Sequence, residues 1–157
     1  MSNGGNADGW RAPIPSEMHN TVILAALGLG FVGLFGAFQA HADVAVIVAA
    51  WATMFVTLAR QAGNAMSRDA ALKVAAGVIV GIGGMAMGIK VANNWLAYTG
   101  VGTIPAMICN AGTNGFVTYI IGRSAARVFL TSDASATVEQ MIRGIIRLFL
   151  PSGHRPS

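Results

Sequence analysis

The sequence predicts an all-α protein: a small polytopic membrane bundle of about four apolar, glycine-rich helices, followed by a C-terminal amphipathic helix. Charged residues are 10% of the chain, against roughly 25% in a typical soluble domain, and hydrophobic residues are 54%. A soluble protein of 157 residues could not cover its surface with so few charges. From position 17 to position 123 long apolar stretches are separated by a few charged side chains. These are Glu17, Asp43, Arg60, Arg68, Asp69, Lys73, Lys90 and Arg123.

The N-terminal residues 1–20 are expected to form a flexible arm. They contain several Gly, Pro, Asn and Ser residues, which are typical of irregular termini. Trp10 suits the headgroup level of a bilayer, where amphipathic aromatic rings are enriched. Ser16 and Glu17 offer caps for a helix that begins near residues 17–21.

The first two apolar stretches are candidate membrane spans. Residues 21–40 carry no charge and, at about 1.5 Å per residue, are long enough for a hydrocarbon core of ~30 Å. The motif Ala40-His41-Ala42 resembles a signal-peptidase site, so a cleaved secretory signal is an alternative, although the preceding arm has a single cation, Arg11. Residues 44–59 are fewer and require local thinning of the bilayer or protein neighbours.

A polar segment, 60–73, separates the second and third stretches. Gly63 suits a helix C-terminus and Ser67 an N-cap, so one helix is predicted to end near 62 and the next to begin near 68. The third stretch, 74–89, has glycines four residues apart, which lets a neighbouring backbone approach one helix face, either within the chain or between chains. The candidate helix-packing residues are Gly77, Gly81, Gly84 and Gly88.

A loop is predicted over 93–105, and a fourth stretch then runs over 104–121 and continues as an arginine-bearing helix to about 130. Amides within lipid need hydrogen-bond partners. We therefore expect the polar side chains of this stretch to bond to a neighbouring helix, with a polar pathway as the alternative. The candidate intramembrane polar residues are Asn110, Thr113, Asn114 and Thr118.

Residues 131–157 are predicted to form a basic amphipathic helix and a short tail, because apolar residues recur there at helical spacing until Pro151. Its apolar face is expected to lie in the membrane interface or to dock on a partner. The chain thus divides into the arm, a membrane helical domain over 21–130, and this C-terminal segment. The candidate membrane or partner interface consists of Arg123, Arg127, Arg143 and Arg147.

The sequence offers no catalytic constellation: zinc-protease, P-loop, nucleophile-elbow and paired-cysteine motifs are absent. The histidines, His19, His41 and His154, share no ligand spacing, so we expect no catalytic residue, no metal and no cofactor. His41 at a predicted membrane edge leaves a quinone or haem site as an alternative. Half of the ten cations follow the last apolar stretch, which favours a lipid bilayer over nucleic acid as partner.

Two segments, DVAVIVAAWATMFVTLARQAGNAMSRDAALKVAAG from Asp43 and GVGTIPAMICNAGTNGFVTYIIGRSAARVF from Gly100, carry a family resemblance. Their order is similar to the YcjF-type bacterial membrane domain, a family of unknown function often encoded beside, or fused to, small GTPases. The resemblance implies a membrane-associated helical module with a nucleotide-dependent partner, and it transfers no catalytic residue. The matching positions are Asp43, Leu58, Ala59, Gly63, Gly100, Gly102, Thr103, Thr118, Gly122, Arg123 and Phe129.

Four spans would gather most cations on one side, so the positive-inside rule predicts both termini in the cytoplasm. The family resemblance implies that the membrane is the bacterial inner membrane. A bundle in which the second and third segments only half-span is the alternative. The expected function is a non-enzymatic integral membrane subunit that self-associates and anchors or scaffolds a larger partner, such as a GTPase. Two alternatives remain: an oligomeric pore or permease lined by Asn110 and Asn114, and a membrane subunit that holds a quinone or haem.

Overall fold

The computed structural model describes residues 9–35, 42–98, 103–132 and 135–149, and the side chains of 10–34, 44–83, 104–132 and 135–149. Throughout these ranges the regular structure is helical, which confirms the all-α prediction. A short 3₁₀ turn precedes five α-helices. In chain order these are the 3₁₀ turn Gly9–Arg11, α1 Ser16–Phe35, α2 Ala42–Gln61, α3 Arg68–Tyr98, α4 Thr103–Thr131 and α5 Val138–Phe149.

The α2–α3 turn has the boundaries that its residues predict. Gly63 adopts a φ of 79° and donates to the Arg60 carbonyl, and the next amide, that of Asn64, donates to the Ala59 carbonyl. Together these bonds form a Schellman motif, which satisfies the last carbonyls of α2. Ser67 Oγ then accepts a hydrogen bond of 3.1 Å from the Ala70 amide and caps the start of α3.

Two predicted boundaries are wrong. The first helix begins at Ser16, so residues 16–20 of the predicted arm are helical, with the His19 amide bonded to the Pro15 carbonyl. The predicted loop over 93–105 is helical up to Tyr98, because neither glycine nor proline interrupts residues 89–98. Pro105 lies in the first turn of α4, where its missing N–H breaks no intrahelical bond.

The first four helices run up and down, each antiparallel to the next. The start of α1 meets the end of α2, where Gln61 donates to Thr21 Oγ1. The end of α1 meets the start of α4, where Asn110 donates to the Gly33 carbonyl. One end of the bundle therefore holds the α2–α3 turn and the last turns of α4, and α5 packs on α3 and α4 near that end.

The apolar core is concentrated near that same end. The rings of Phe55 and Phe129 meet edge to face, with centroids 6.1 Å apart, and both are fully buried. Ile145 of α5 is also inaccessible to solvent, so α5 is part of the core. The largest inaccessible side chains are Phe55, Phe129, Met18, Leu58, Ile121, Ile145, Val22, Val74 and Val78.

Two helical segments of the described chain are long and apolar enough to cross a membrane by length and composition alone. They are Ser16–Leu34, with a mean hydropathy of 1.4, and Val44–Gln61, with a mean hydropathy of 1.6. The predicted third and fourth spans lie in helices that do not meet this criterion over the residues described, so the four-span topology stays a prediction.

Candidate functional site

Among the described residues, the closest approach of two helix backbones is between α1 and α4, and small residues make it possible. A Cβ added to Gly33 would lie 2.9 Å from the Ala111 Cα, and one added to Gly115 would lie 3.2 Å from the Ala26 carbonyl oxygen. Gly30 stands between them, opposite Ala111. Backbones in this contact, the α1–α4 seam, therefore approach at distances that larger residues do not permit.

Three of the predicted intramembrane polar residues are buried within the bundle. Asn110 is 4% exposed, and its Nδ2 donates a 2.8 Å hydrogen bond to the Gly33 carbonyl across the seam. Thr118 is 1% exposed and accepts a 3.0 Å bond from Trp51 Nε1 of α2. These bonds join α4 to α1 and to α2, which is the helix-to-helix use expected of polar side chains in lipid.

Asn114 lies between these two residues on the same face of α4, but it is not satisfied in the same way. It is 7% exposed, and its Nδ2 has no hydrogen-bond partner among the described residues. A Cβ on Gly33 would lie 2.9 Å from that nitrogen, so the amide points into the seam. Thr113 is partly exposed, to one side of the row formed by the other three. Asn110 and Asn114 thus both lie inside the bundle, where α4 meets α1.

The glycine pair on α3 is covered by the chain's own C-terminal helix. Ile142 packs on Gly77 and Ile146 packs on Gly81, so closely that a Cβ at either glycine would overlap an isoleucine side chain. The matching four-residue spacing shows that α5 runs parallel to α3. Gly84 and Gly88 lie outside the residues whose side-chain surroundings are described.

The apolar face of α5 thus packs on its own bundle. On α4, Val128 packs against Gly144, where a Cβ would lie 3.0 Å from the valine Cγ2. The opposite face carries Arg143, which pairs with Glu139 and has a side chain 79% exposed. Arg147 is exposed one turn further on. The exposed face of α5 is therefore its cationic one.

Arg123 differs from the other candidate interface arginines because it is 9% exposed. Its guanidinium binds the backbone of the N-terminal arm: Nε donates to the Trp10 carbonyl at 2.8 Å, and Nη2 donates to the carbonyls of Arg11 at 3.2 Å and Ala12 at 2.7 Å. Among the described residues no carboxylate pairs with it. Three backbone carbonyls compensate its charge instead. Hydrogen bonds from a charged donor are stronger than hydrogen bonds between neutral groups.

Two ring side chains complete the surroundings of this guanidinium. Its Nη1 is 3.3 Å from His19 Nδ1 and 3.5 Å from the Tyr119 hydroxyl, and its Cζ lies 5.8 Å from the Tyr119 ring centroid. The His19 and Tyr119 rings meet edge to face at 6.2 Å. Arg123 thus fastens residues 10–12 of the predicted arm to α1 and α4. Arg127, one turn along α4, is half-buried.

The sequence did contain signals for the contacts that were missed. Ala26 and Gly30 on α1, and Ala111 and Gly115 on α4, have the same four-residue small-residue spacing as the glycines of α3. Tyr119 stands four residues before Arg123, on one helix face. No sequence pattern indicated the contact between Arg123 and the arm, because every residue has a backbone carbonyl and the sequence does not show which carbonyls accept a hydrogen bond.

The described residues contain no group of three or more His, Cys, Asp or Glu side chains that could hold a metal ion. His41, the residue behind the quinone or haem alternative, lies outside the described residues. Comparison with known proteins found no matching family model, no matching curated sequence and no matching solved structure.

Proposed function

We propose that this protein is a non-enzymatic integral membrane subunit that self-associates and anchors a larger partner. The observation that carries the membrane part is the exposure of large apolar side chains around buried amides. Leu27 is 66% exposed and Ile108 is 62% exposed, whereas Asn110 on the same helix as Ile108 is 4% exposed. Water disfavours that arrangement, and hydrocarbon favours it.

The distribution of charge supports four spans with both termini in the cytoplasm. The charged side chains whose surroundings are described lie around the α2–α3 turn, on α5, and near the start of α1 and the end of α4. Cations outnumber acids there, as the positive-inside rule requires of a cytoplasmic side. The cations are Arg11, Arg60, Arg68, Lys73, Arg123, Arg127, Arg143 and Arg147, and the acids are Glu17, Asp69 and Glu139. The bacterial inner membrane follows from the family resemblance.

Self-association is proposed to use glycines other than the pair covered by α5. A Cβ on Gly28 of α1 or on Gly112 of α4 would meet nothing within 4 Å, and both residues are exposed. Such positions let the backbone of a second copy approach in lipid. Gly28→Leu should convert the oligomer to monomer by native mass spectrometry. An unchanged oligomer in Gly28→Leu and in Gly112→Leu would contradict this interface.

The proposed partner site is the cationic face of α5. Because the apolar face of that helix is occupied, Arg143 and Arg147 remain outward and available to an acidic protein surface. The resemblance makes a GTPase the partner class to look for first. Deleting the C-terminal segment would be a poor test, because it would also uncover Gly77 and Gly81 and remove Ile145 from the core.

A sharper test neutralises the exposed charges and keeps the helix. The double variant Arg143→Gln and Arg147→Gln loses one exposed ion pair, which is worth only about 0.3–0.5 kcal/mol, so α5 should stay docked. The matched control is Arg60→Gln with Arg68→Gln, which removes the same charge from exposed positions on α2 and α3. A partner quantified by mass spectrometry after gentle purification should be lost only from the α5 variant. Equal recovery from both double variants would refute the α5 site.

A further inference from the structure

The polarity of the bundle reverses along its length. Near the α2–α3 turn it is arranged like a water-soluble protein, with Phe55 and Phe129 inside and Arg60 outside. Toward the opposite end the exposed side chains are apolar and the amides of α4 are inside. The exposed ones are Leu24 at 70%, Leu27 at 66%, Ile104 at 71%, Ile108 at 62% and Phe116 at 62%.

Contacts between helices fix the level at which the reversal occurs. The side chains of Val22 on α1 and Met54 on α2 both pack on Gly122, so these three residues share one level. From Ile104 to Gly122, α4 carries no charge and, at about 1.5 Å per residue, is about 28 Å long. That length matches a hydrocarbon core of ~30 Å.

Aromatic and cationic groups cluster beside α1 and α4 at this level, as such groups do at a membrane surface. Arg123 follows Gly122 directly and holds Trp10, His19 and Tyr119 around its guanidinium. Trp and Tyr are enriched where hydrocarbon meets headgroups, because one part of each ring is apolar and the other polar. The 3₁₀ turn that contains Trp10 is fastened to the bundle at this level.

The position of α5 places the start of α3 on the watery side. Gly144 of α5 meets Val128, which is about 7.5 Å beyond Arg123 along α4, away from the apolar half. Arg143 and Arg147 are exposed next to this contact, and α5 lies along α3 from Gly77 to Gly81. A charged helix that covers α3 at Gly77 is incompatible with hydrocarbon around that turn.

We propose that the bilayer surface crosses the bundle at the level of Gly122 and Arg123, so that lipid acyl chains cover the half beyond Gly122, except where Gly28 and Gly112 meet a second copy. The start of α3, the end of α4 and α5 then form a headpiece in water. This inference rests on the proposed membrane location and deepens it. The third span begins between Gly77, which α5 covers, and Val80, whose apolar side chain is 81% exposed, rather than at Val74.

Cysteine accessibility tests this boundary at one decisive position. Ala76 is exposed on α3; the sequence alone puts it in lipid, whereas the headpiece assignment puts it in water. Single-cysteine variants in a Cys109→Ser background, purified and reconstituted in liposomes, are labelled with a charged maleimide on both membrane faces. Lys73→Cys is the water reference and Leu27→Cys the lipid reference, and the native Cys109, exposed on the apolar half, is a second lipid probe.

Ala76→Cys should react within about threefold of the rate of Lys73→Cys. Leu27→Cys and Cys109 should react at least about tenfold more slowly than Lys73→Cys, because a thiol in hydrocarbon does not ionise. A rate for Ala76→Cys as slow as that of Leu27→Cys would overturn the boundary and keep the membrane location. Fast labelling at every position would refute the membrane location itself. Protection of Leu27→Cys that disappears as the protein is diluted in lipid would assign this face to a second copy and overturn the lipid assignment.

Discussion

Replacing Gly33 by alanine should separate α1 from α4. The added Cβ would lie 2.9 Å from the Ala111 Cα, 2.9 Å from Asn114 Nδ2 and 3.0 Å from the Asn110 carbonyl oxygen. Two of these three atoms belong to the α4 backbone, so movement of a side chain alone cannot relieve the overlap. The same shift would lengthen the hydrogen bond from Asn110 to the Gly33 carbonyl.

The expected loss of stability comes from two terms. Overpacking a filled contact costs about 1–3 kcal/mol, and an interhelical hydrogen bond in a membrane protein contributes about 0.6 kcal/mol. Alanine also favours the helix over glycine by roughly 0.5–1 kcal/mol. Gly83→Ala on α3 is the matched control, because it makes the same change inside a helix and its Cβ would meet nothing within 4 Å. The difference between the two variants is therefore about 1.5–3.5 kcal/mol.

The assay is reversible unfolding in mild detergent by titration with a denaturing detergent, followed by far-ultraviolet circular dichroism. Gly83→Ala should be as stable as the parent or slightly more stable, and Gly33→Ala should unfold at a clearly lower denaturant fraction. Equal midpoints for the two variants would refute the close approach of α1 and α4 at Gly33.

Three further substitutions test single contacts. Arg123→Gln removes the donors that hold residues 10–12. The rate of amide hydrogen exchange in that segment should rise at least about tenfold, which corresponds to the loss of roughly 1.4 kcal/mol of protection. Trp51→Phe and Thr118→Val each break the one bond between these side chains, and a double-mutant cycle in the detergent assay should give a coupling of about 0.5–1.7 kcal/mol. Gly63→Ala, at a φ of 79°, should lower the free energy of unfolding by about 1–2 kcal/mol.

Two of these have a control on the same element, and the single variants are the reference for the double-mutant cycle. Arg127→Gln removes a neighbouring charge from α4 and should leave exchange near Trp10 unchanged, and exchange that rises equally in both variants would refute the arm contact. Additive effects in the cycle would show that the bond between α2 and α4 contributes nothing to stability. Gly63→Asn should cost less than Gly63→Ala, because asparagine tolerates the left-handed conformation. Equal costs would contradict a conformational origin.

Helix boundaries were predictable where local chemistry decides them. The glycine at 63 and the serine at 67 marked the α2–α3 turn, and the spacing of Ile142, Ile145 and Ile146 marked α5. These signals act over a few residues and require no knowledge of the rest of the fold. The loop predicted at Asn93 failed because asparagine only weakly disfavours a helix and nothing stronger stood beside it.

The partners of each surface were not predictable, because contacts between distant segments depend on how the helices meet. The sequence by itself determined that this chain is helical, poor in charge, and provided with a small-residue face on α3 and an amphipathic last helix. Only the tertiary structure decided that this last helix covers Gly77 and Gly81, and that Arg123 binds the arm through its carbonyls. The physical reason is that small residues and carbonyls accept many partners equally well, and the geometry of the fold selects one.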